Sequence, residues 1–182
     1  VILTSFNHEK YLKEAIDSVL NQTFRDFELI IWDDASVDAS WEIINNYSDL
    51  RIRAFRNETN LRFGNVNRAL EQAMGEYVAI HHSDDVWETD KLEKQVAFLD
   101  ENPQIGAVFT WAQIIDENGA NLPEDWFIQE NKTQWEWLRE LFLGKNHLNH
   151  PSVLIRRVCY QNVGTYCFGL AQTADAEMWT RL

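Results

Sequence analysis

Apolar positions along this chain switch between two rhythms, short continuous runs and helical stripes. Residues 1–5 form a short apolar run suited to a buried strand. Asn7 is placed to cap a helix in which Tyr11, Leu12, Ala15, Ile16, Val19 and Leu20 make one stripe. Residues 27–32 predict a second strand that runs into Asp33-Asp34-Ala35-Ser36, followed by a helix with Trp41, Ile43 and Ile44 inward. Residues 51–55 alternate as a half-buried strand does. Residues 64–74 then carry Val66, Ala69, Leu70 and Ala73 at helical spacing, with Gly75 as the expected stop. The run Tyr77-Val78-Ala79-Ile80 predicts a strand leading to Ser83-Asp84-Asp85. A helix opens near Thr89, passes through Leu92, Val96 and Leu99, and ends before Pro103. Residues 105–115 predict another strand, broken by the turn Asp116-Glu117-Asn118-Gly119. Residues 126–143 are rich in Trp and Glu and predict a helix from Thr133, and residues 151–155 resemble one more strand.

This alternation of strand and helix over the first hundred residues predicts an α/β fold, a mostly parallel sheet with helices on both faces. No repeat or linker divides the chain, so residues 1–182 are expected to form a single domain. The sequence opens inside a predicted strand and closes inside a predicted helix, which suggests a segment of a longer protein. Of its residues 45% are hydrophobic, with 10 Phe and 8 Trp, enough for a sizeable core. A net charge of −13 without a basic stripe argues against nucleic-acid binding, so any phosphate recognised here should arrive with a metal. Cys159 and Cys167 have neither metal-motif spacing nor disulfide-scaffold density, which favours a reducing compartment and ordinary interior roles for both. No apolar run reaches membrane-spanning length and no targeting segment stands at the start. The expected location is cytoplasmic, at the inner membrane face if flanks outside this sequence supply an anchor.

The candidate chemistry is concentrated at strand ends. Asp84 and Asp85 end an apolar run, which puts hard oxygen ligands at the crevice where open α/β sheets bind their ligands. Turn and helix-cap roles are the plainer alternative for this pair and equally for Asp33 and Asp34, of which Asp34 is the better candidate ligand. His81 and His82 invite a zinc reading, but neighbours on a strand face opposite ways, so one ion does not take both. His150 is a weak candidate for an acceptor pocket. Among Trp126, Trp135 and Trp137, Trp135 is expected to pack, and Trp126 is open between packing and sugar stacking.

Four segments occur in a telling order: Val1-Ile2-Leu3-Thr4-Ser5-Phe6-Asn7, Asp33-Asp34-Ala35-Ser36, Gly75-Glu76-Tyr77 running into Ser83-Asp84-Asp85, and Asp175-Ala176-Glu177-Met178-Trp179. With the helix phrase Ser18-Val19-Leu20-Asn21-Gln22-Thr23-Phe24, this set resembles the family 2 glycosyltransferases of the GT-A fold. The resemblance covers nearly the whole chain. It implies that Thr4, Phe6 and Asp34 contact the base and ribose of a nucleotide-diphosphate sugar, UDP being the commonest family donor nucleotide, with Arg62 as a nearby cation. Asp84 would serve the ribose side, Asp85 would bind a divalent cation, Mn²⁺ or Mg²⁺, and Asp175 would be the general base. The stacking role of Phe6 rests on the resemblance alone, since an aromatic ending a buried strand is more commonly core.

The implied reaction transfers the sugar to a hydroxyl of a glycan or lipid-linked acceptor. A metal-held diphosphate leaves while a single carboxylate takes the acceptor proton, which predicts inversion at the anomeric carbon. Two positions depart from the family pattern: His82 stands where a further Asp is common, and Ala174 where Glu is common before the base. A sugar-phosphate nucleotidyltransferase is disfavoured because the loop Ser5-Phe6-Asn7-His8-Glu9-Lys10 has no glycine to cradle a triphosphate, and a dinucleotide oxidoreductase fails likewise. A binding module without catalysis is the remaining alternative.

Overall fold

The computed structural model describes residues 1–61 and 64–182. Among the described residues six strands form one sheet, β1 (Ile2–Ser5), β2 (Leu29–Asp33), β3 (Ile52–Arg56), β4 (Tyr77–His82), β5 (Ala107–Val108) and β6 (Leu154–Arg156), in the order β3-β2-β1-β4-β6-β5. The strands β1 to β4 pair in parallel, while β6 runs antiparallel to both β4 and β5. The helices are α1 (Leu12–Leu20), α2 (Ser40–Asn45), α3 (Asn65–Gln72), α4 (Lys91–Glu101), α5 (Gln134–Phe142), α6 (Arg157–Val163) and α7 (Ala174–Arg181). This is the expected α/β sandwich.

Strand periodicity sorts the side chains onto two faces. Leu3, Leu29, Ile31, Ala79 and Leu154 join α1, α2 and α4 in one core, whereas Ile2, Ile30, Trp32, Val78, Ile80 and Ile155 join α3, α6 and α7 in the other. Burial on both sides explains why β1, β2 and β4 are apolar runs rather than alternating ones.

Several local expectations differ. Asn7 does not cap α1; it lies in the left-handed region at φ 53, and the first turn closes instead on the His8 carbonyl. Residue Ala73, not Gly75, ends α3 by turning extended, because Arg53 takes the Gln72 carbonyl and Glu28 accepts from the Met74 amide. The predicted strand at 105–115 shrinks to two residues, since β6 offers partners only at Ile155 and Leu154 and an unpaired ladder cannot be prolonged. The turn at Asp116 forms as expected, its carboxylate accepting from Asn118 and Ala120 and Gly119 adopting φ +83. A complete capping box between Thr133 and Glu136 starts α5, yet that helix buries none of its side chains fully. Trp135 is 78% exposed, so it does not pack as expected. Cys167 is exposed rather than interior, while Cys159 is partly buried against Gly106. Among the described residues, no helix is long and apolar enough to cross a membrane.

Candidate active site at the strand ends

Alternation along the strands decides which polar residues meet. Thr4 follows Ile2 on the α3, α6 and α7 side, and its register neighbours there are Trp32 and His82. One residue beyond β2, Asp34 continues the same side, whereas Asp33 turns to the other. Accordingly Asp33 accepts from the Ser36 amide and pairs with Arg56 at 3.1 Å, a structural role on the α2 side. Asp34 is buried, and its Oδ1 accepts from Asn57 Nδ2 and from the Leu61 amide, each at 2.8 Å.

Asn57 is the hub behind Asp34. Its Oδ1 accepts from Trp32 Nε1 and Arg68, while its amide also donates to Asn65. Across the sheet end, the loop after β1 is bolted to the loop after β2. The Asn7 amide donates to Ser36 Oγ, the Val37 amide to Asn7 Oδ1, the His8 amide to Ser40 Oγ and the Ala39 amide to Glu9. Ala35 is held at φ 62 by this bolting, a conformation costing about 1–2 kcal/mol for a residue with a Cβ. Phe6 projects beyond β1 at 41% exposure, so it is not a core residue and its ring is available for stacking.

The acidic pair lies at the end of β4. A turn in which the Asp85 amide donates to the His82 carbonyl at 3.4 Å folds the chain back on itself and gathers His82, Asp84 and Asp85. One ligand atom from each of the three lies within 4.8 Å of the others, a donor set of two carboxylates and an imidazole that suits a divalent cation. Burial pushes the Asp85 carboxyl above the ordinary aspartate value; Asp84 adds to the rise, and His82 and His8 oppose it. His8 bonds Ser83 Oγ through Nδ1 at 2.7 Å and stands 3.9 Å from Asp84. On the opposite side, His81 is fully buried, tilted at 45° against the Trp87 ring and directed at the Ala15 carbonyl, with burial holding its pKa well below 6.5. The two histidines therefore diverge as strand geometry requires.

Asp175 opens α7 and accepts a hydrogen bond from Asn146 Nδ2 at 2.8 Å. Four residues on, Trp179 shares its helix face. Its ring centroid is 5.7 Å from that of His150, which in turn bonds His82 at 3.1 Å. The acidic turn and the helix carrying Asp175 are thus connected through packed side chains. Trp126 donates to the Asn146 carbonyl and lies against His147, with 49% of its surface exposed beside the Asp175 partner.

Thr4, Asp34, Asp84 and Asp85 are brought to one end of the sheet, and Asp175 joins through α7. Arg62 lies outside the described residues. Sequence reading missed His8, Asn57 and Asn146 as partners of site carboxylates. Each is a polar residue in a loop, and only the fold shows which carboxylate it meets.

The sequence profile of glycosyl transferase family 2 matches residues 1–169. An uncharacterized glycosyltransferase of Methanocaldococcus jannaschii is 35% identical over the whole of this chain and 63% of its own length. The putative teichuronic acid biosynthesis glycosyltransferase TuaG of Bacillus subtilis is 35% identical over 79% of this chain and 58% of its own. The crystal structure of S. aureus TarS in complex with UDP superposes with a TM-score of 0.77 at 25% identity, covering 98% of this chain and 52% of that one. The chain thus spans roughly half to two thirds of the length of these proteins. With the profile matched along nearly its full length and the strand-end carboxylates gathered on a GT-A sheet, the chain belongs to glycosyl transferase family 2.

Proposed function

We propose that this chain carries the donor-binding and catalytic core, as one domain, of an inverting glycosyltransferase. It transfers a hexose from a nucleoside diphosphate, UDP first among them, to a hydroxyl of a glycan or lipid-linked acceptor. The observation that carries this reading is the meeting of Asp84, Asp85 and Thr4 at one sheet end, with Asp175 presented by a helix packed through Trp179 on His150, the hydrogen-bond partner of His82. The UDP complex of TarS and the UDP-glucose-dependent glucosyltransferase WfaP of Escherichia coli, 37% identical over 55% of this chain, support the donor class.

In this reading Thr4 and Asp34 hold the base and Phe6 stacks on it, on loops already fixed by cross-bonding so that little ordering is needed on binding. Arg62 supplies a further positive charge to the nucleotide. Asp84 takes the ribose side and Asp85 is the principal cation ligand. A bound divalent cation supplies charge neutralisation to the departing diphosphate. Asp175 accepts the acceptor hydroxyl proton through the oxygen that Asn146 does not hold. The new bond joins the acceptor oxygen to the anomeric carbon from the side opposite the leaving group. The electron pair of the broken bond goes to the diphosphate, and the configuration inverts.

The test is turnover of a nucleotide-sugar panel with Mn²⁺ against glycan and lipid-linked acceptors, with product anomers assigned by NMR. Transfer with inversion, lost about 10³-fold in Asp175→Asn, is the expected result. Retained configuration would remove Asp175 from the role of base. Nucleotide binding without transfer or hydrolysis of any donor would leave only a binding module.

A further inference from the structure

His82 brings the one nitrogen donor to a cluster whose other candidate ligands are carboxylates, and its surroundings single it out. Its Nδ1 faces Asp85 Oδ2 at 3.7 Å. That separation is too long for a hydrogen bond. It is shorter than the roughly 4.2 Å that separates two ligand atoms on opposite sides of one ion at bonds of about 2.1 Å. The gap therefore fits a shared cation.

The far side of the ring is equally organised. His82 Nε2 meets His150 Nδ1 at 3.1 Å, His150 Nε2 meets the Tyr166 hydroxyl at 3.0 Å, and Tyr166 meets Tyr160 at 3.2 Å. When Nε2–H of His82 donates to His150, the second histidine donates onward to Tyr166 and a lone pair is left on His82 Nδ1, on the side of Asp85. An imidazole whose outer nitrogen donates to a fixed partner is the usual arrangement of a metal-ligating histidine. The turn that returns Asp85 over His82 completes the geometry.

We infer that His82 is a nitrogen ligand to the cation held by Asp85, oriented by His150 and Tyr166, and that this ligand set selects a first-row transition ion such as Mn²⁺ over Mg²⁺. The inference rests on the reading of Asp85 as metal ligand. Its physical basis is that imidazole adds bonding strength toward transition ions that hard Mg²⁺ exploits poorly. His150 and Tyr166 act through His82 and are positioning residues.

The experiment is pulsed EPR of Mn²⁺ bound to the full chain with UDP, in protein made with ordinary and with ¹⁵N-labelled histidine. Expected is a ¹⁴N coupling that becomes a ¹⁵N coupling on labelling and disappears in His82→Asp, which retains bound Mn²⁺. In the same variant the Mn²⁺ over Mg²⁺ preference, measured by competition calorimetry, should fall about tenfold. Bound Mn²⁺ without histidine coupling in the wild type overturns the inference while leaving Asp85 as ligand. Coupling that persists in His82→Asp also overturns it, and points to His8 instead. Absence of Mn²⁺ binding with or without UDP would remove both the inference and the metal reading of Asp85. The labelled wild-type measurement decides the ligand even if the variant folds poorly.

Discussion

The two ends of the site are built differently. On the side proposed to bind the donor, the loops after β1, β2 and β3 are tied together by side-chain hydrogen bonds, and Asp34 is buried in a network centred on Asn57. On the other side, residues 109–149 carry Trp111, Trp126, Trp135 and Phe142 at 49–80% exposure around a helix that buries no side chain fully. Rigid elements hold a precise constellation better than loops do, while exposed aromatic surface tolerates variation in what it meets. On the proposed assignment, the donor would meet a surface fixed by the sheet, whereas the acceptor would meet a segment that is anchored to the core through Phe109, Leu141 and Leu148 and leaves its large aromatic rings exposed.

The largest effect should come from Asp85→Ala, which removes the proposed principal metal ligand and is expected to weaken Mn²⁺-dependent UDP affinity about 100-fold. Equal calorimetric affinity with and without Mn²⁺ in the wild type would break the donor half of the comparison.

Asn57→Leu comes next. It strands the partners Asp34, Asn65 and Trp32 in a buried setting and should cost about 2–4 kcal/mol in urea denaturation, lowering UDP affinity as well. A loss below 0.5 kcal/mol would mean the donor loops are held by something other than this network.

On the open side, Trp126→Ala should raise the acceptor KM roughly tenfold with the donor KM unchanged, as expected for loss of one stacking surface. A rise in donor KM instead would erase the division between the two sides.

Lys91, at the start of α4, tests the core beneath the sheet rather than either side of the site. It is buried beside the Trp87 ring with its ammonium bonded to Gln95, and burial lowers its pKa from 10.5 to about 7. The folded state therefore holds fewer protons than the unfolded between about pH 7 and 10.5, so the penalty for burying this group is full below pH 7 and fades as pH rises. Lys91→Met should raise Tm by about 2 °C or more at pH 6, with a smaller gain at pH 9. A constant gain at both values would rule out linkage to this lysine.

The smallest effect is expected for Trp135→Ser, within about 0.5 kcal/mol of wild type, since an exposed ring leaves little burial to lose. Destabilisation beyond 2 kcal/mol would show that α5 is anchored through that ring.

Much of the donor half was legible before the fold was known. Continuous apolar runs at Leu29 to Trp32 and Tyr77 to Ile80 mark strands buried on both faces, and the carboxylates that end them mark the crevice. The choice of Asp34 over Asp33 as candidate ligand also follows the two-residue strand period, which turns Asp33 toward Arg56. By contrast, the predicted strand at 105–115 failed because pairing depends on a partner, and β6 arrives from almost fifty residues later with only three residues to offer. Trp135 failed because helical spacing gives a stripe without saying whether anything lies opposite it.

Sequence alone determined the alternation of strands and helices, the carboxylates at their ends and the family they resemble, because these depend on local periodicity and on short runs of residues. Only the tertiary structure decided that Asp84 and Asp85 share their turn with His82, that His150 comes from 68 residues away to hold that ring, and that Asn146 holds Asp175. Those pairings depend on which chain segments the sheet order brings together. A hydrogen bond between distant residues leaves no periodic trace along the chain.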